Sequence, residues 1–237
     1  MRGLVKTTLT ERTYEALKER ILDQRLAAGA RLNIDALSRE LNVSSSPIRE
    51  ALVRLETERL VISELYAGYS VAPQPTTEYL HDLLDFRIQI EGYCARIGAQ
   101  AKRKSTINEL RRALEKMGQS PKIGTKYKEY QKLVHADGKF HEIIVNSANN
   151  QVCSDIYASL NPIMLQSRLY HDTESNEARL KAVLDEHRRI LAAFENGDGA
   201  EAEAAVRAHL EGGRKRLLDG GTKKTAAPAL RKVSAGS

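Results

Sequence analysis

The sequence predicts a mainly α-helical protein in two parts: a short N-terminal part that contains one β-hairpin, and a longer part made of helices alone. Three observations support this prediction. Apolar residues recur with the 3.6-residue period of amphipathic helices through most of the 237 residues. Only positions 60–73 carry β-branched and aromatic residues on both sides of a turn, Ala67-Gly68. Pro73 and Pro75 then mark a stiff linker between the two parts.

Three helices are predicted in front of the hairpin. The first covers residues 8–28 and is expected to end at Gly29, and the second runs from Ile34 to Leu41. The third is capped within Ser44-Ser45-Ser46-Pro47, where serine accepts backbone N–H groups and proline fits the first turn, and it runs to about Arg59. Three helices followed by a hairpin are the order of elements in a winged helix-turn-helix.

The third helix is expected to read double-stranded operator DNA. In helix-turn-helix proteins the second helix of the motif enters the major groove, and the residues at its N-terminus reach the base edges. That end of the helix consists here of Ser44, Ser45 and Ser46. Arg49 follows one turn later, and its guanidinium can bind guanine O6 and N7, so we expect it to be the main base reader. The other expected DNA contacts are three phosphate-binding arginines and a close backbone approach at the hairpin tip: Arg31, Arg39, Arg54 and Gly68.

From residue 77 onwards the pattern is purely helical. Six helices are predicted, near residues 77–102, 105–118, 127–147, 150–171, 176–195 and 199–218. Helices joined by short connections form an antiparallel bundle. The sequence thus divides into a DNA-binding domain at 1–73, a linker at 74–76, a helical domain at 77–219 and a disordered basic tail at 220–237.

Charge, cysteine content and hydropathy exclude several classes of protein. Residues 214–237 hold seven basic side chains and one acidic, so the net charge of +6 lies in the tail and does not identify the front part as a DNA binder. The two cysteines form no C-x-x-C pair, which disfavours disulfides and cysteine-based zinc sites. No apolar run is long enough to span a membrane and the start lacks a secretory signal, so we expect a cytoplasmic protein.

A metal site is suggested by one carboxylate and three histidines. Asp137 and His141 are four residues apart in a helical pattern, so their side chains project from one face. This spacing alone is weak evidence, because it supplies only two of the four ligands that a closed site needs. His187 and His209 lie among apolar residues of later helices and are expected to point inward. Together these groups would suit Zn²⁺, Ni²⁺ or Mn²⁺ and leave positions open for water or a ligand carboxylate.

Arg87 is a second inward-facing candidate. It lies among Leu83, Leu84, Ile88 and Ile90, and a buried arginine needs an anion. That anion is either a carboxylate of the bundle, such as the glutamate four residues later, or the carboxylate of a small organic acid.

Both parts of the sequence resemble known families. The run Leu41–Leu52, with Gly68-Tyr69-Ser70-Val71 after it, resembles the winged helix-turn-helix of the GntR family of bacterial regulators over about residues 8–73. Family members commonly carry arginine at the position of Ser45, so we transfer no family operator sequence to this chain.

The helical part resembles the FCD ligand-binding domain of the FadR subfamily over about residues 77–218. Asp137, Phe140-His141, Glu186-His187 and His209-Leu210 match the metal-binding signature of that domain in order and spacing. Six helices rather than seven resemble its shorter, VanR-like branch. The resemblance implies that Asp137, His141, His187 and His209 bind a metal, and that Arg87 contacts a carboxylate effector.

These observations predict a transcriptional regulator rather than an enzyme. We expect a homodimer, because each recognition helix reads one half-site of a pseudo-palindromic operator. The resemblance implies a repressor whose operator affinity is controlled by a small acid beside the metal. One alternative is a metal-dependent hydrolase in which Glu142 or Glu186 is the general base. Neighbours in a helix point about 100° apart, however, so neither glutamate should share the direction of the adjacent ligand. The other alternative is a DNA-binding protein with a purely structural metal.

Overall fold

The computed structural model describes residues 8–119, 126–167 and 177–218. Helices dominate this part of the chain, together with a small sheet, which confirms the predicted fold class. The predicted basic tail at 220–237 and the predicted end of the fourth bundle helix at 168–171 lie outside the described residues. Within the described ranges, no helix is both long and apolar enough to cross a membrane.

Three N-terminal helices precede the hairpin, as predicted. They are α1 (Leu9–Leu22), α2 (Ile34–Leu41) and α3 (Ser45–Thr57). The prediction that α1 extends to residue 28 was wrong. The helix ends at Leu22 because Gln24 adopts a left-handed φ of 57°, and Gly29, at φ 76°, belongs to the turn that follows.

The hairpin belongs to a three-stranded antiparallel sheet. Its strands are β2 (Val61–Glu64) and β3 (Gly68–Val71), and the sheet has the order β1-β3-β2. The additional strand β1 (Arg31–Leu32) pairs Leu32 with Tyr69 of β3. A strand of two residues shows no alternating pattern, so sequence reasoning did not find it. The fully buried Leu17, Ile48 and Leu52 fix α1 and α3 beneath the sheet.

The described residues of the second part form six helices, at the positions predicted to within a few residues. They are α4 (Thr77–Gln100), α5 (Lys104–Gly118), α6 (Tyr127–Ser147), α7 (Gln151–Ser167), α8 (Glu177–Asn196) and α9 (Gly199–Leu218). α4 packs against α6, α8 and α9, so side chains from these four helices meet in one core.

Helix α4 approaches its neighbours unusually closely at Gly98. A Cβ atom at this position would lie 1.7 Å from Ser147 Oγ of α6 and 3.1 Å from the Phe194 ring of α8. Only glycine leaves room for the observed packing. The close approach holds the face of α4 that carries Glu91 against α6.

Helix α6 also contacts the N-terminal part. The Tyr127 side chain is buried in the N-terminal core, and the Tyr127 backbone N–H donates to Asp23 Oδ1 at the end of α1 over 2.7 Å. One residue later, Lys128 Nζ lies 2.8 Å from Glu19 Oε2. One helix therefore reaches from the N-terminal core into the bundle.

Candidate metal centre and DNA-reading surface

Three helices bring the predicted metal ligands to one point. Asp137 and His141 lie one turn apart on α6, His187 lies on α8 and His209 lies on α9. One ligand atom from each of these four buried residues falls in a group whose members are all within 4.8 Å of one another. His141 Nε2 is 3.2 Å from His209 Nε2, and His187 Nε2 is 3.3 Å from Asp137 Oδ1.

The Nδ1 atom of each imidazole forms a hydrogen bond to an oxygen acceptor. His141 Nδ1 donates to Glu91 Oε2 over 2.6 Å, His209 Nδ1 donates to Glu186 Oε2 over 2.8 Å, and His187 Nδ1 donates to the Val183 carbonyl over 2.8 Å. An acceptor at Nδ1 selects the neutral tautomer whose lone pair is on Nε2. The three Nε2 lone pairs therefore converge, as in metal sites where outer partners orient the ligating rings.

The donor set fits a divalent transition metal ion. His187 Nε2 is buried and has no hydrogen-bond partner among the described groups, and the Nε2 atoms of His141 and His209 face each other. Buried lone pairs that lack a partner are costly, and a cation at their meeting point removes this cost. Burial, reinforced by the neighbouring His187, lowers the pKa of His209 to about 3. The imidazole is therefore neutral at physiological pH, as a metal ligand must be.

Glu91 is the central residue that sequence reasoning did not assign to the site. It is fully buried, and its second oxygen, Oε1, accepts from Arg87 Nε over 2.6 Å. Burial alone would raise the pKa of Glu91, but the Arg87 guanidinium and His141 more than offset that effect and hold it at about 2. Of the two anions considered for Arg87, the structure places Glu91 against it. Contact of the remaining guanidinium N–H groups with an acid stays a prediction.

The predicted base-reading residues lie on the surface at the start of α3. Ser44, Ser45, Ser46 and Arg49 are all exposed, and Ser44 occupies the N-cap position without a side-chain capping bond. Arg39 is exposed on α2. These side chains are therefore accessible for major-groove contact, and the contacts themselves stay predictions.

Two of the predicted phosphate-binding arginines also make contacts within the chain. Arg31 donates through Nε and Nη2 to the Ala67 carbonyl, over 3.0 and 2.6 Å, and so braces the hairpin tip. Arg54 Nη1 lies 2.6 Å from Glu11 Oε2, and its guanidinium stacks 3.6 Å from the centroid of the Tyr14 ring. Gly68 is exposed beside the tip, at φ 80°.

Comparison with known proteins identifies the family. Residues 9–71 match the family described as bacterial regulatory proteins, gntR family, and residues 82–212 match the FCD domain. The chain belongs to the GntR family. It is a DNA-binding transcriptional regulator with an FCD domain, which confirms the resemblance seen in both parts of the sequence.

Relatives of this regulator include a gluconate operon transcriptional repressor of Bacillus licheniformis, 31% identical over 176 residues that cover 74% of this chain and 68% of the relative. The Glc operon transcriptional activator of Escherichia coli is 28% identical over 236 residues, covering 89% of each chain. The solved structure of a GntR regulator from Rhodococcus sp. RHA1 superposes with a TM-score of 0.67 at 23% identity, covering 89% of this chain and 97% of that one. That likeness supports the fold.

Both glutamates considered as general bases of a hydrolase, Glu186 and Glu142, form ion pairs. Glu186 accepts from His209 and from both terminal nitrogens of Arg216, over 2.7 and 2.8 Å. Burial would raise the pKa of Glu186, yet His209 and Arg216 hold it at about 2, so its carboxylate is a weak base. Glu142 points outward to Lys139, 2.8 Å away. The hydrolase alternative thus lacks a suitable base at either position.

The hairpin tip of the regulator carries two side chains that sequence reasoning overlooked. Leu65 and Tyr66 are 84% and 97% exposed, the highest values among the exposed large apolar residues of the described chain. Large apolar groups at a hairpin tip gain nothing from the protein's own core. They lie beside Gly68, where a close approach of the backbone to DNA stays a prediction.

Proposed function

We propose that this regulator is a repressor whose affinity for its operator is controlled by a small organic acid bound beside a divalent metal ion in the helical part. The observation that carries the proposal is the convergence of three imidazole Nε2 atoms and one carboxylate on the inner side of α6, α8 and α9. One of these helices, α6, is also embedded in the DNA-binding part.

The metal would be held by Asp137 and by the Nε2 atoms of His141, His187 and His209. Zn²⁺, Ni²⁺ and Mn²⁺ all accept such a donor set. When bound, the ion supplies a Lewis-acidic contact for a carboxylate oxygen. The side chains of Asp137 and Arg87 are each 12% exposed, whereas those of His141 and His187 are 1% and 0% exposed. An acid therefore approaches from the side of Asp137 and Arg87, and the guanidinium contributes a second charged contact.

Helix α6 provides the physical link to DNA. Asp137 and His141 follow Tyr127 by about three and four helical turns on the same rigid element. A shift of α6 at the metal centre is therefore passed to Tyr127, whose side chain packs in the core that supports α3. A coupling free energy of about 1 to 3 kcal/mol would change operator affinity about 5- to 150-fold.

A homodimer is supported by an aromatic stripe on α4. Tyr79, Phe86 and Tyr93 are spaced seven residues apart, about two helical turns, so they share one side of the helix, and all three are exposed. Helix α7 adds the exposed Val152 and Ile156. A second copy of the chain covering this aromatic stripe would place two DNA-binding parts in the two-fold arrangement that pseudo-palindromic operators require.

Relatives named as repressors favour repression as the sign of regulation. They include repressors of a gluconate operon and of a D-xylose utilization operon, the latter 25% identical to this chain, whereas the Glc operon relative is named an activator. The gluconate operon repressor makes gluconate the first acid to test.

The test is operator affinity measured by fluorescence anisotropy on the metal-loaded full chain, with and without gluconate and other small acids. The operator is first selected from random DNA by the protein itself. We expect an effective acid to weaken operator binding about 5- to 150-fold. Arg87→Lys keeps the charge beside Glu91 but loses the planar fork, so its response to the acid should be reduced.

The proposal fails if an acid that binds the helical part leaves operator affinity unchanged. A protein that binds its operator regardless of acids, and that unfolds when the metal is chelated, would instead have a purely structural metal.

A further inference from the structure

Two thiols lie side by side between α4 and α7. Cys94 and Cys153 are the two cysteines of the sequence. Cys94 on α4 is fully buried in an apolar cluster with Leu80 and Leu84 of the same helix, and Cys153 on α7 packs against this cluster. The two side chains form a hydrogen bond with each other. The fold therefore pairs two thiols that are far apart in the sequence and have no role in the metal centre.

This contact meets the main geometric condition for a disulfide. Two cysteines whose side chains point apart cannot be bridged unless the backbone moves. Cys94 and Cys153 point towards each other, since their thiols form a hydrogen bond. An S–S bond is about 2 Å long, so closing it requires only a small further approach of α4 and α7.

The two thiols differ in their access to solvent. Cys153 is half-buried and lies in the first turn of α7, where its backbone N–H donates to Asn150 Oδ1 over 3.2 Å. Cys94 is 0% exposed, and burial, reinforced by the Cys153 thiol, raises its pKa to about 12. Cys94 is therefore a protonated thiol at physiological pH. A small oxidant reaches the Cys153 sulfur first, because reactivity of a cysteine requires access.

Metal binding is a less suitable role for this pair. A closed site for a thiolate-binding metal needs about four ligands. Among the described residues, the group of acidic, histidine and cysteine side chains that could hold an ion contains neither cysteine. The carboxylate of Glu91 acts on Cys94, but its two oxygens already accept from Arg87 and His141. Two thiols in contact without further ligands are suited to oxidation instead.

We propose that Cys94 and Cys153 are a redox site at which a peroxide forms a reversible intramolecular disulfide. The Cys153 sulfur attacks one peroxide oxygen and the O–O bond breaks, which gives a sulfenic acid and a first water. The Cys94 sulfur then displaces the hydroxyl group from the Cys153 sulfur, and that group leaves with the Cys94 proton as a second water. The two thiols lose two electrons and two protons, and the peroxide is reduced to water. A dithiol reductant reverses the reaction.

The experiment treats the purified full chain with a small molar excess of hydrogen peroxide and follows intact mass and free thiols. We expect the wild type to lose about 2 Da and both free thiols, and dithiothreitol to restore them. Peptide mapping without reduction should recover Cys94 linked to Cys153. In Cys94→Ala the attacking thiol has no partner, so Cys153 should gain oxygen as a sulfenic or sulfinic acid. In Cys153→Ser the buried Cys94 should stay unmodified.

The control is the wild type unfolded in urea, in which the two cysteines no longer face each other and the disulfide should form more slowly. Equal rates in folded and unfolded wild type would overturn the proposal, and this comparison does not depend on the stability of the variants. A wild type that keeps both thiols under peroxide, or whose disulfide joins two chains, would also overturn it. Thermal unfolding checks that Cys94→Ala and Cys153→Ser are folded. The proposed function does not depend on any of these results.

Discussion

Replacing Glu91 by glutamine tests the contact through which Glu91 joins Arg87 to His141 of the imidazole cluster. Glu91 accepts from Arg87 Nε and from His141 Nδ1, each over 2.6 Å, and is fully buried. Glutamine has nearly the same volume but no charge. Its amide NH₂ must face either Arg87 or His141, both of which are donors, so one of the two bonds is lost.

The structure sets the size of the effect. The pKa of Glu91 is about 2 against an ordinary 4.5, which corresponds to about 3 kcal/mol in favour of the charged carboxylate. Removing one partner of a buried ion pair costs about 3 to 5 kcal/mol. We therefore expect Glu91→Gln to lower the free energy of unfolding of the metal-free protein by about 3 kcal/mol. Zinc affinity should fall about 10- to 100-fold, because His141 loses either the acceptor that orients it or the negative charge on that acceptor.

Urea unfolding measures the stability, and competition with a chromophoric chelator measures the zinc affinity. The matched control is Glu195→Gln, which removes an exposed carboxylate 2.6 Å from Arg111. Exposed pairs contribute about 0.2 to 1 kcal/mol, so the control should change the unfolding free energy little and leave zinc affinity as it was. A Glu91→Gln protein that unfolds and binds zinc like the wild type would refute the reasoning.

Three further predictions concern the reading helix, the dimer surface and the bundle core. Arg49→Ala should weaken operator binding by about 1 to 3 kcal/mol in an anisotropy titration, whereas Arg207→Ala, a control at an exposed position, should not. Equal operator affinities of the two variants would show that Arg49 is not the base reader. Phe86→Glu places a charge in the aromatic stripe on α4 and should yield monomers in analytical ultracentrifugation, whereas a persisting dimer would exclude that surface. Gly98→Ala places a Cβ atom 1.7 Å from Ser147 Oγ and should lower the free energy of unfolding by about 1 to 3 kcal/mol. A variant as stable as the wild type would show that Ser147 can move away at no cost.

The long helices could be predicted because each buries one stripe of apolar residues. Helix α6 was predicted at residues 127–147 and is found at Tyr127–Ser147. The end of α1 could not be predicted in this way. Leu26 continues the apolar pattern beyond Leu22, but it packs against the N-terminal core from a turn instead of from a helix. Tertiary packing, which periodicity does not register, decided where the helix stops.

The candidate site likewise contains residues that could be predicted from the sequence and a residue that could not. Asp137 and His141 could be paired from their spacing on one helix, and the resemblance added His187 and His209. The role of Glu91 could not be found by such reasoning. Its contact with His141 runs between α4 and α6, and no sequence spacing encodes which side chains of different helices meet.

The most direct test of the central claim is the metal content of the purified full chain. The protein is exposed to Zn²⁺, Ni²⁺ or Mn²⁺, dialysed, and analysed by inductively coupled plasma mass spectrometry beside His187→Gln and His135→Gln. His135 is an exposed histidine on α6 and serves as the control. We expect one retained ion per chain in the wild type and in His135→Gln, and loss of that ion from folded His187→Gln. Equal retention in all three proteins, or no retained ion in the wild type, would contradict it.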